Sequence, residues 1–147
     1  MRFRIYAAVY LILIRENKLF LLRRFNTGWM DGHFTMPSGH VEADEKLTDA
    51  LIREAKEEAG ITIHPENLTM AHAMLRKSEN EQETREYVDF FFTAKDWEGE
   101  AHNGEPHKSD IAEWFSLDAL PETLLPHVRF ALHEINKKNY LSEVGWN

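Results

Sequence analysis

Two short apolar runs open the chain and predict two neighbouring strands. The runs cover residues 5–14 and 19–25, and the polar residues Glu16, Asn17 and Lys18 between them have the length of a hairpin turn. The first run is about half of the ~20 residues needed to cross a bilayer, and polar RENK follows it where a signal peptide would carry small residues. We therefore expect a buried hairpin rather than a membrane or targeting segment.

The rest of the pattern predicts a mixture of helices and strands. A helix-forming segment ends before Gly60, which is a good helix terminator. Helices are predicted at 47–59 and 127–139, further strands at 68–76, 86–94 and 112–117, and long polar loops at 25–33 and 96–110. No repeat or linker interrupts the pattern. We expect one α/β domain over residues 1–147, with a sheet sandwiched by helices.

Charge and composition narrow the classes of function. The 147 residues include 17 Lys and Arg against 25 Asp and Glu, for a formal net charge of −8. The absence of a basic block argues against a protein that binds nucleic-acid backbone, and a small anionic substrate would need a local cation. The sequence has no cysteine, which excludes disulfides, thiolate metal sites and cysteine nucleophiles, and the expected compartment is the reducing cytoplasm.

The predicted helix at 47–59 carries an apolar stripe that becomes acidic. On a wheel of about 100° per residue, Leu47, Ala50 and Leu51 form the stripe, and Glu54 and Glu58 continue it. Buried unpaired carboxylates are costly, so a cation is expected beside them. Carboxylate oxygens suit Mg²⁺ or Mn²⁺, and the segment offers no imidazole or thiolate at ligand spacing.

An alternative is that the acidic residues are only a solvated helix face, as in most Glu-rich helices. The wheel argues against that alternative because Asp49, Arg53 and Lys56 already supply a solvated side. The pattern of residues 39–61 as a whole argues against it more strongly.

Residues 39–61 resemble the signature of the Nudix hydrolases, G-x5-E-x7-R-E-U-x-E-E-x-G-U, in which U is aliphatic. Every specified position is filled, by Gly39, Glu45, Arg53, Glu54, Ala55, Glu57, Glu58, Gly60 and Ile61. The resemblance implies a loop–helix–loop element on an α/β/α sandwich with a mixed β-sheet. It also implies a Mg²⁺-dependent enzyme that hydrolyses a nucleoside diphosphate linked to another group.

The resemblance also implies roles for single residues. The metal ligands would be Glu57, Glu58 and the Gly39 carbonyl, and Glu54 would either bind metal or serve as the base that activates water. The catalytic residues would be Glu54, Glu57 and Arg53, with Arg53 orienting a neighbouring glutamate. Glu45 would support the site from the start of the helix. A second interpretation of Glu45 is a negative charge that stabilises the helix amino terminus.

The similarity to MutT-type Nudix hydrolases extends beyond this signature. In residues 96–117, Glu105 occupies the position of a loop glutamate that adds a metal ligand, although an ordinary acidic surface loop is the alternative. Arg24 falls at the position of a phosphate-contacting arginine, and its alternative is a strand-end charge. Relatives use either the glutamate matching Glu54 or a later loop glutamate as the general base, and we favour Glu54 over Glu105.

Substrate identity is less well marked than the chemistry. Lys77 stands sixteen residues past Ile61, where ADP-ribose pyrophosphatases typically carry proline, and no array typical of NADH hydrolases follows. With the MutT-type loop, this favours a (deoxy)nucleoside tri- or diphosphate cleaved to the monophosphate, with ADP-ribose or a nucleotide sugar as the alternative. A non-catalytic nucleotide-binding Nudix sensor is the second alternative, disfavoured by the intact glutamates. We expect no nucleic-acid or membrane partner, and a homodimer is left open.

Overall fold

The computed structural model describes residues 2–79 and 84–146. Of the predicted domain 1–147, residues 1, 80–83 and 147 lie outside the described residues, and its extent stays a prediction. The helices are α1 (Leu47–Ala59) and α2 (Pro126–Asn136), with a 3₁₀ turn at Pro65–Asn67. The strands are β1 (Tyr6–Ile12), β2 (Ile14–Arg15), β3 (Lys18–Arg24), β4 (Phe34–Thr35), β5 (Ser38–His40), β6 (Leu68–Glu79), β7 (Thr84–Ala94), β8 (Ser109–Ser116) and β9 (Leu141–Val144).

The described strands form two sheets. The larger has the order β5-β1-β7-β6-β9, in which β1 runs parallel to β7 and antiparallel to β5. In the smaller sheet, β2, β4 and β8 all pair antiparallel with β3. The combination of parallel and antiparallel pairs confirms the expected mixed β-sheet.

Strand β1 shows why the fold has layers. Its even-numbered residues from Ala8 to Ile12 belong to a buried cluster with Val128 and Ala131 of α2. Its odd-numbered residues Val9 and Leu11 belong to a second cluster with Ala50, Leu51 and Ala55 of α1. Because successive side chains of a strand point to opposite faces, β1 is buried by a helix on each side. This arrangement confirms the predicted α/β/α sandwich.

The predicted elements agree with the structure most closely where local signals are strong. Helix α1 has the predicted bounds, and Gly60 ends it in the left-handed conformation with φ 69°. The hairpin turn is also confirmed, since Glu16 and Asn17 have φ of 52° and 60°. The hairpin itself is shorter than expected, because only β2 pairs with β3 while β1 belongs to the larger sheet. Helix α2 ends three residues earlier than predicted, and Lys138 beyond it adopts a left-handed φ of 60°.

Strands that depend on distant partners were predicted less well. The prediction placed no strands at β4, β5 or β9, and it made β6, β7 and β8 too short. Strand β5 has only three residues and is held by its register with β1, where Val9 faces Gly39. None of the described helices is long and apolar enough to span a bilayer.

Candidate active site

Seven of the eight predicted site residues line one cavity of about 660 Å³. The cavity lies where β5, α1, the end of β3 and the loop before β8 meet. The residues are Arg24, Gly39, Arg53, Glu54, Glu57, Glu58 and Glu105. Glu45 is the exception, and it is connected to the cavity through its hydrogen bonds with Arg53 and with the backbone N–H of Glu42.

Close packing of α1 against β5 puts the helix carboxylates into this cavity. The backbone N–H of Ser38 donates a 2.8 Å hydrogen bond to Oε1 of Glu58. Gly39 has no side chain, and a Cβ added there would collide with the carboxyl group of Glu54. Gly39 therefore leaves room for the Glu54 carboxyl group in this position, and a larger residue would displace that flexible side chain.

Arg53 connects four carboxylates, the most distant of which is Glu42, with Oε1 3.9 Å from Nη2. It donates from Nε and Nη2 to the two carboxylate oxygens of Glu45, at 2.9 and 3.1 Å, and from Nη1 to Glu54 at 2.7 Å. Its Nη1 also lies 3.5 Å from Oε2 of Glu57. The hydrogen bond from Arg53 lowers the pKa of Glu45 to about 2.

The expectation that Asp49, Arg53 and Lys56 form the solvated side of α1 is therefore only partly correct. Asp49 and Lys56 are exposed, but the side chain of Arg53 is 25% exposed because its partners Glu45 and Glu54 cover it. A wheel treats every charge as equivalent and does not include the loop that carries Glu45.

Glu54 and Glu58 form an electrostatically unfavourable pair. Their carboxyl groups lie within hydrogen-bond reach of each other. Burial raises the pKa of both groups, and the charges of Glu54 and Glu105 raise that of Glu58 further. The hydrogen bonds from Arg53 and Ser38 oppose these increases without cancelling them. A pair of this kind is stabilised either by a shared proton or by a cation.

Glu57 and Glu105 approach the same cavity from different elements. The side chain of Glu57 is 48% exposed on the outer side of α1. Glu105 belongs to the loop before β8, which is docked on the helix end because the N–H groups of His102 and Gly104 donate to the carbonyls of Ala59 and Glu58 at 3.0 and 2.8 Å. The loop therefore holds Glu105 beside α1.

Arg24 lies at the end of β3 and is already held by its own loop. Its Nε donates to the carbonyl of Trp29 at 2.7 Å, and Nη2 donates to Oγ1 of Thr27 at 2.9 Å. The guanidinium carbon is 5.0 Å from the centre of the Trp29 ring. Burial lowers the pKa of Arg24. These contacts orient the Arg24 guanidinium at the edge of the acidic cavity.

The donor chemistry of the cavity fits a hard divalent cation. Oxygen donors are available from Gly39, Glu54, Glu57, Glu58 and Glu105, and the crowded pair of Glu54 and Glu58 would be relieved by a positive charge. As the side chains stand, however, no three or more His, Cys, Asp and Glu residues in the described parts of the chain are arranged to hold a metal ion.

Sequence reasoning missed two backbone contributions to the site. These are the Ser38 N–H that binds Glu58 and the close contact at Gly104, where a Cβ would collide with the Glu57 carbonyl. The glycine in the NGE segment was a visible signal for the second contact. No local pattern signals the first, because any residue except proline offers the same N–H.

Comparison with known families covers most of the chain. The family model for the NUDIX domain matches residues 4–135. An 8-oxo-dGTP diphosphatase of Escherichia coli is 32% identical over 115 residues, which are 77% of this chain and 81% of that protein. An ADP-ribose pyrophosphatase of Methanocaldococcus jannaschii is 28% identical over 128 residues, which are 87% of this chain and 72% of that protein.

Solved structures share the same architecture. The crystal structure of a MutT NUDIX hydrolase from Burkholderia pseudomallei superposes with a TM-score of 0.78 at 25% sequence identity. The match covers 88% of this chain and 97% of that one. The resemblance found in residues 39–61 is thus accompanied by similarity over the whole sandwich.

Proposed function

This chain belongs to the Nudix hydrolase family, and from that premise we propose that it is a divalent-metal-dependent pyrophosphohydrolase of (deoxy)nucleoside tri- or diphosphates. The observation that carries the proposal is the single cavity in which seven of the eight predicted site residues meet. Its acidic wall contains Glu54, Glu57, Glu58 and Glu105, and Arg24 lies on the same lining.

The charges of the cavity suit a diphosphate only if a cation is present. Glu57, Glu58, Glu105 and the Gly39 carbonyl would hold that cation. When bound, Mg²⁺ or Mn²⁺ supplies neutralising charge to the diphosphate oxygens. Arg24 would donate hydrogen bonds to a phosphate at the edge of the cavity, since its guanidinium is oriented there by Trp29 and Thr27.

We assign the general base to Glu54. A water molecule attacks one phosphorus of the diphosphate, its proton passes to the Glu54 carboxylate, and the P–O bond to the leaving phosphate breaks with the electron pair on that oxygen. Burial raises the pKa of Glu54, which makes its carboxylate a stronger proton acceptor than a free glutamate. Arg53 is a positioning residue because its 2.7 Å hydrogen bond orients Glu54.

Two relatives support different substrates within this class. The name of the E. coli relative, 8-oxo-dGTP diphosphatase, favours a nucleoside triphosphate. The name of the M. jannaschii relative, ADP-ribose pyrophosphatase, favours the alternative of ADP-ribose or a nucleotide sugar. The higher identity of the first relative and the absence of proline at Lys77 are the reasons for our choice.

A product screen tests the proposal. The purified protein with Mg²⁺ is given separate pools of nucleoside triphosphates, oxidised triphosphates, nucleoside diphosphates, ADP-ribose and nucleotide sugars, and products are separated by ion-pair chromatography. We expect nucleoside monophosphate from the tri- or diphosphate pools, and none from Glu57→Gln. Turnover of ADP-ribose alone would select the alternative substrate, and no turnover of any pool would refute the proposal.

A further inference from the structure

A second cavity adjoins the acidic one and provides space for the organic part of a substrate. Its volume is about 710 Å³, within the range of roughly 300–1,000 Å³ that is typical of small-molecule sites. Arg24, Ser38, Gly39 and His40 line both cavities. A molecule whose diphosphate lies in the acidic cavity can therefore extend into the second one.

The lining of the second cavity is rich in hydrogen-bond donors. Arg24, Arg76 and Arg85 line it, and no described Asp or Glu does. This lining contrasts with the net charge of −8 of the whole chain. Arginine side chains donate and cannot accept hydrogen bonds. The cavity therefore offers charged donors to ligand groups that accept hydrogen bonds, whereas a ligand amino group would find only neutral acceptors such as hydroxyl and imidazole groups.

Arg76 is the best oriented of these donors. Its Nε and Nη2 donate to the two carboxylate oxygens of Asp89 at 2.6 and 3.3 Å, and the Asp89 side chain is fully buried. Its guanidinium carbon lies 4.3 Å from the centre of the Tyr87 ring. The two hydrogen bonds to Asp89 leave the Nη1 group of Arg76 unused. A planar donor is thus held in one orientation with N–H groups available to a ligand.

We infer that Arg76 selects substrates whose base presents acceptor oxygens, so that keto bases are preferred to amino bases. The inference rests on the proposed hydrolysis of nucleotides. Hypoxanthine and guanine carry O6 beside N7, two acceptors that suit arginine, whereas adenine carries an amino group in place of O6. Uracil and cytosine differ in the same way at position 4. In each amino base, a donor would face the Arg76 donors.

Matched substrate pairs test this inference directly. Inosine and adenosine triphosphates differ in the group at position 6 and in the hydrogen on N1. Uridine and cytidine triphosphates differ in the same two ways, at position 4 and N3. We expect kcat/KM to be at least about tenfold higher for the keto member of each pair. A cavity that responded only to the charge of the substrate would treat the two members alike. Equal values for both pairs would overturn the inference.

The variant Arg76→Lys tests the role of the residue. Lysine keeps a positive charge beside Asp89 but lacks the planar arrangement of donors, so the keto-to-amino ratio should fall to about one. Arg23→Lys is the matched control, because Arg23 makes the same two-bond pair with Asp110, at 2.8 and 2.7 Å, but lines neither cavity. That control should keep the ratio of the intact protein. An unchanged ratio in Arg76→Lys would overturn the assignment.

A binding measurement separates this inference from the proposed hydrolysis. Calorimetry without metal compares inosine and adenosine monophosphates on the intact protein and on Arg76→Lys. Tighter binding of inosine monophosphate, lost in the variant, would support the inference even if no triphosphate were hydrolysed. Hydrolysis of both triphosphates without any such preference would instead retain the proposed function and refute the inference.

Discussion

Arg53 donates a 2.7 Å hydrogen bond from Nη1 to Oε1 of Glu54, the next residue in the chain. Neighbouring residues on an α-helix point about 100° apart, so their side chains do not normally face each other. Here Glu45 holds the other edge of the guanidinium at 2.9 Å and turns it toward Glu54. The Arg53 guanidinium thus links the loop carboxylate of Glu45 to the proposed base Glu54.

This relationship predicts that Arg53→Lys impairs catalysis more than folding. Lysine cannot bind Glu45 with two parallel hydrogen bonds and reach Glu54 as well. We expect kcat to fall about 10- to 100-fold, and the pKa of Glu45 to rise from about 2 toward its usual value. Kinetics and carboxyl NMR titration measure the two effects, with Arg23→Lys as control. A Glu45 pKa that stayed near 2 would show that Arg53 does not cause the shift.

A second prediction concerns Mg²⁺ and stability. A cation that binds the folded carboxylates should raise Tm, and a concentration of one hundred times Kd would add about 2.7 kcal/mol, on the order of 5–10 °C for a chain of this length. Glu57→Gln should lose most of that increase. Thermal unfolding with and without Mg²⁺ measures it, and Glu66→Gln, an exposed glutamate outside both cavities, is the control. An equal response in both variants would remove Glu57 from the ligand set.

A third prediction separates the two candidate bases. If Glu54 accepts the proton, Glu54→Gln should lower kcat by roughly 10²–10⁴-fold. Glu105→Gln should have a smaller effect, expressed mainly in the Mg²⁺ concentration needed for half-maximal activity. Steady-state kinetics over a Mg²⁺ series measures both. The reverse order of kcat values would assign the base to Glu105.

A fourth prediction follows from His127. Its Nε2 lies 3.0 Å from the Tyr10 hydroxyl, and burial lowers the pKa of His127 to about 3. Between pH 6.5 and 3 the unfolded chain binds a proton that the folded chain does not, so the free energy of unfolding falls as the pH is lowered. The loss from pH 7 to pH 5 should be about 2 kcal/mol larger in the intact protein than in His127→Gln.

Urea unfolding at both pH values measures this difference. The His127→Gln variant retains a polar group near Tyr10 but cannot titrate, so other acid-sensitive groups contribute equally to both proteins. Equal losses would mean that the folded protein accommodates a protonated His127.

Local signals in the sequence were sufficient for helix α1, which carries the glutamates of the motif, and for the first turn of the chain. Helix α1 has the predicted bounds because Gly60 ends it and because its apolar stripe buries Ala50 and Leu51 on β1. The hairpin turn at Glu16 and Asn17 was likewise predicted from polarity and length alone. Spacing also identified the helix carboxylates, since residues three and four apart share a helix face.

Contacts between distant residues were decided only by the tertiary structure. The sequence determined that Glu54 and Glu58 share a face of α1. The register of Gly39 with Val9 brings β5 to that face. The hydrogen bond from the Gly104 N–H to the Glu58 carbonyl brings the loop of Glu105 there. The pairing of Arg76 with Asp89 depends in the same way on the register of β6 with β7, in which Met74 is the residue opposite Asp89. A strand pattern specifies which side a residue faces, whereas its neighbours are set by partners far along the chain.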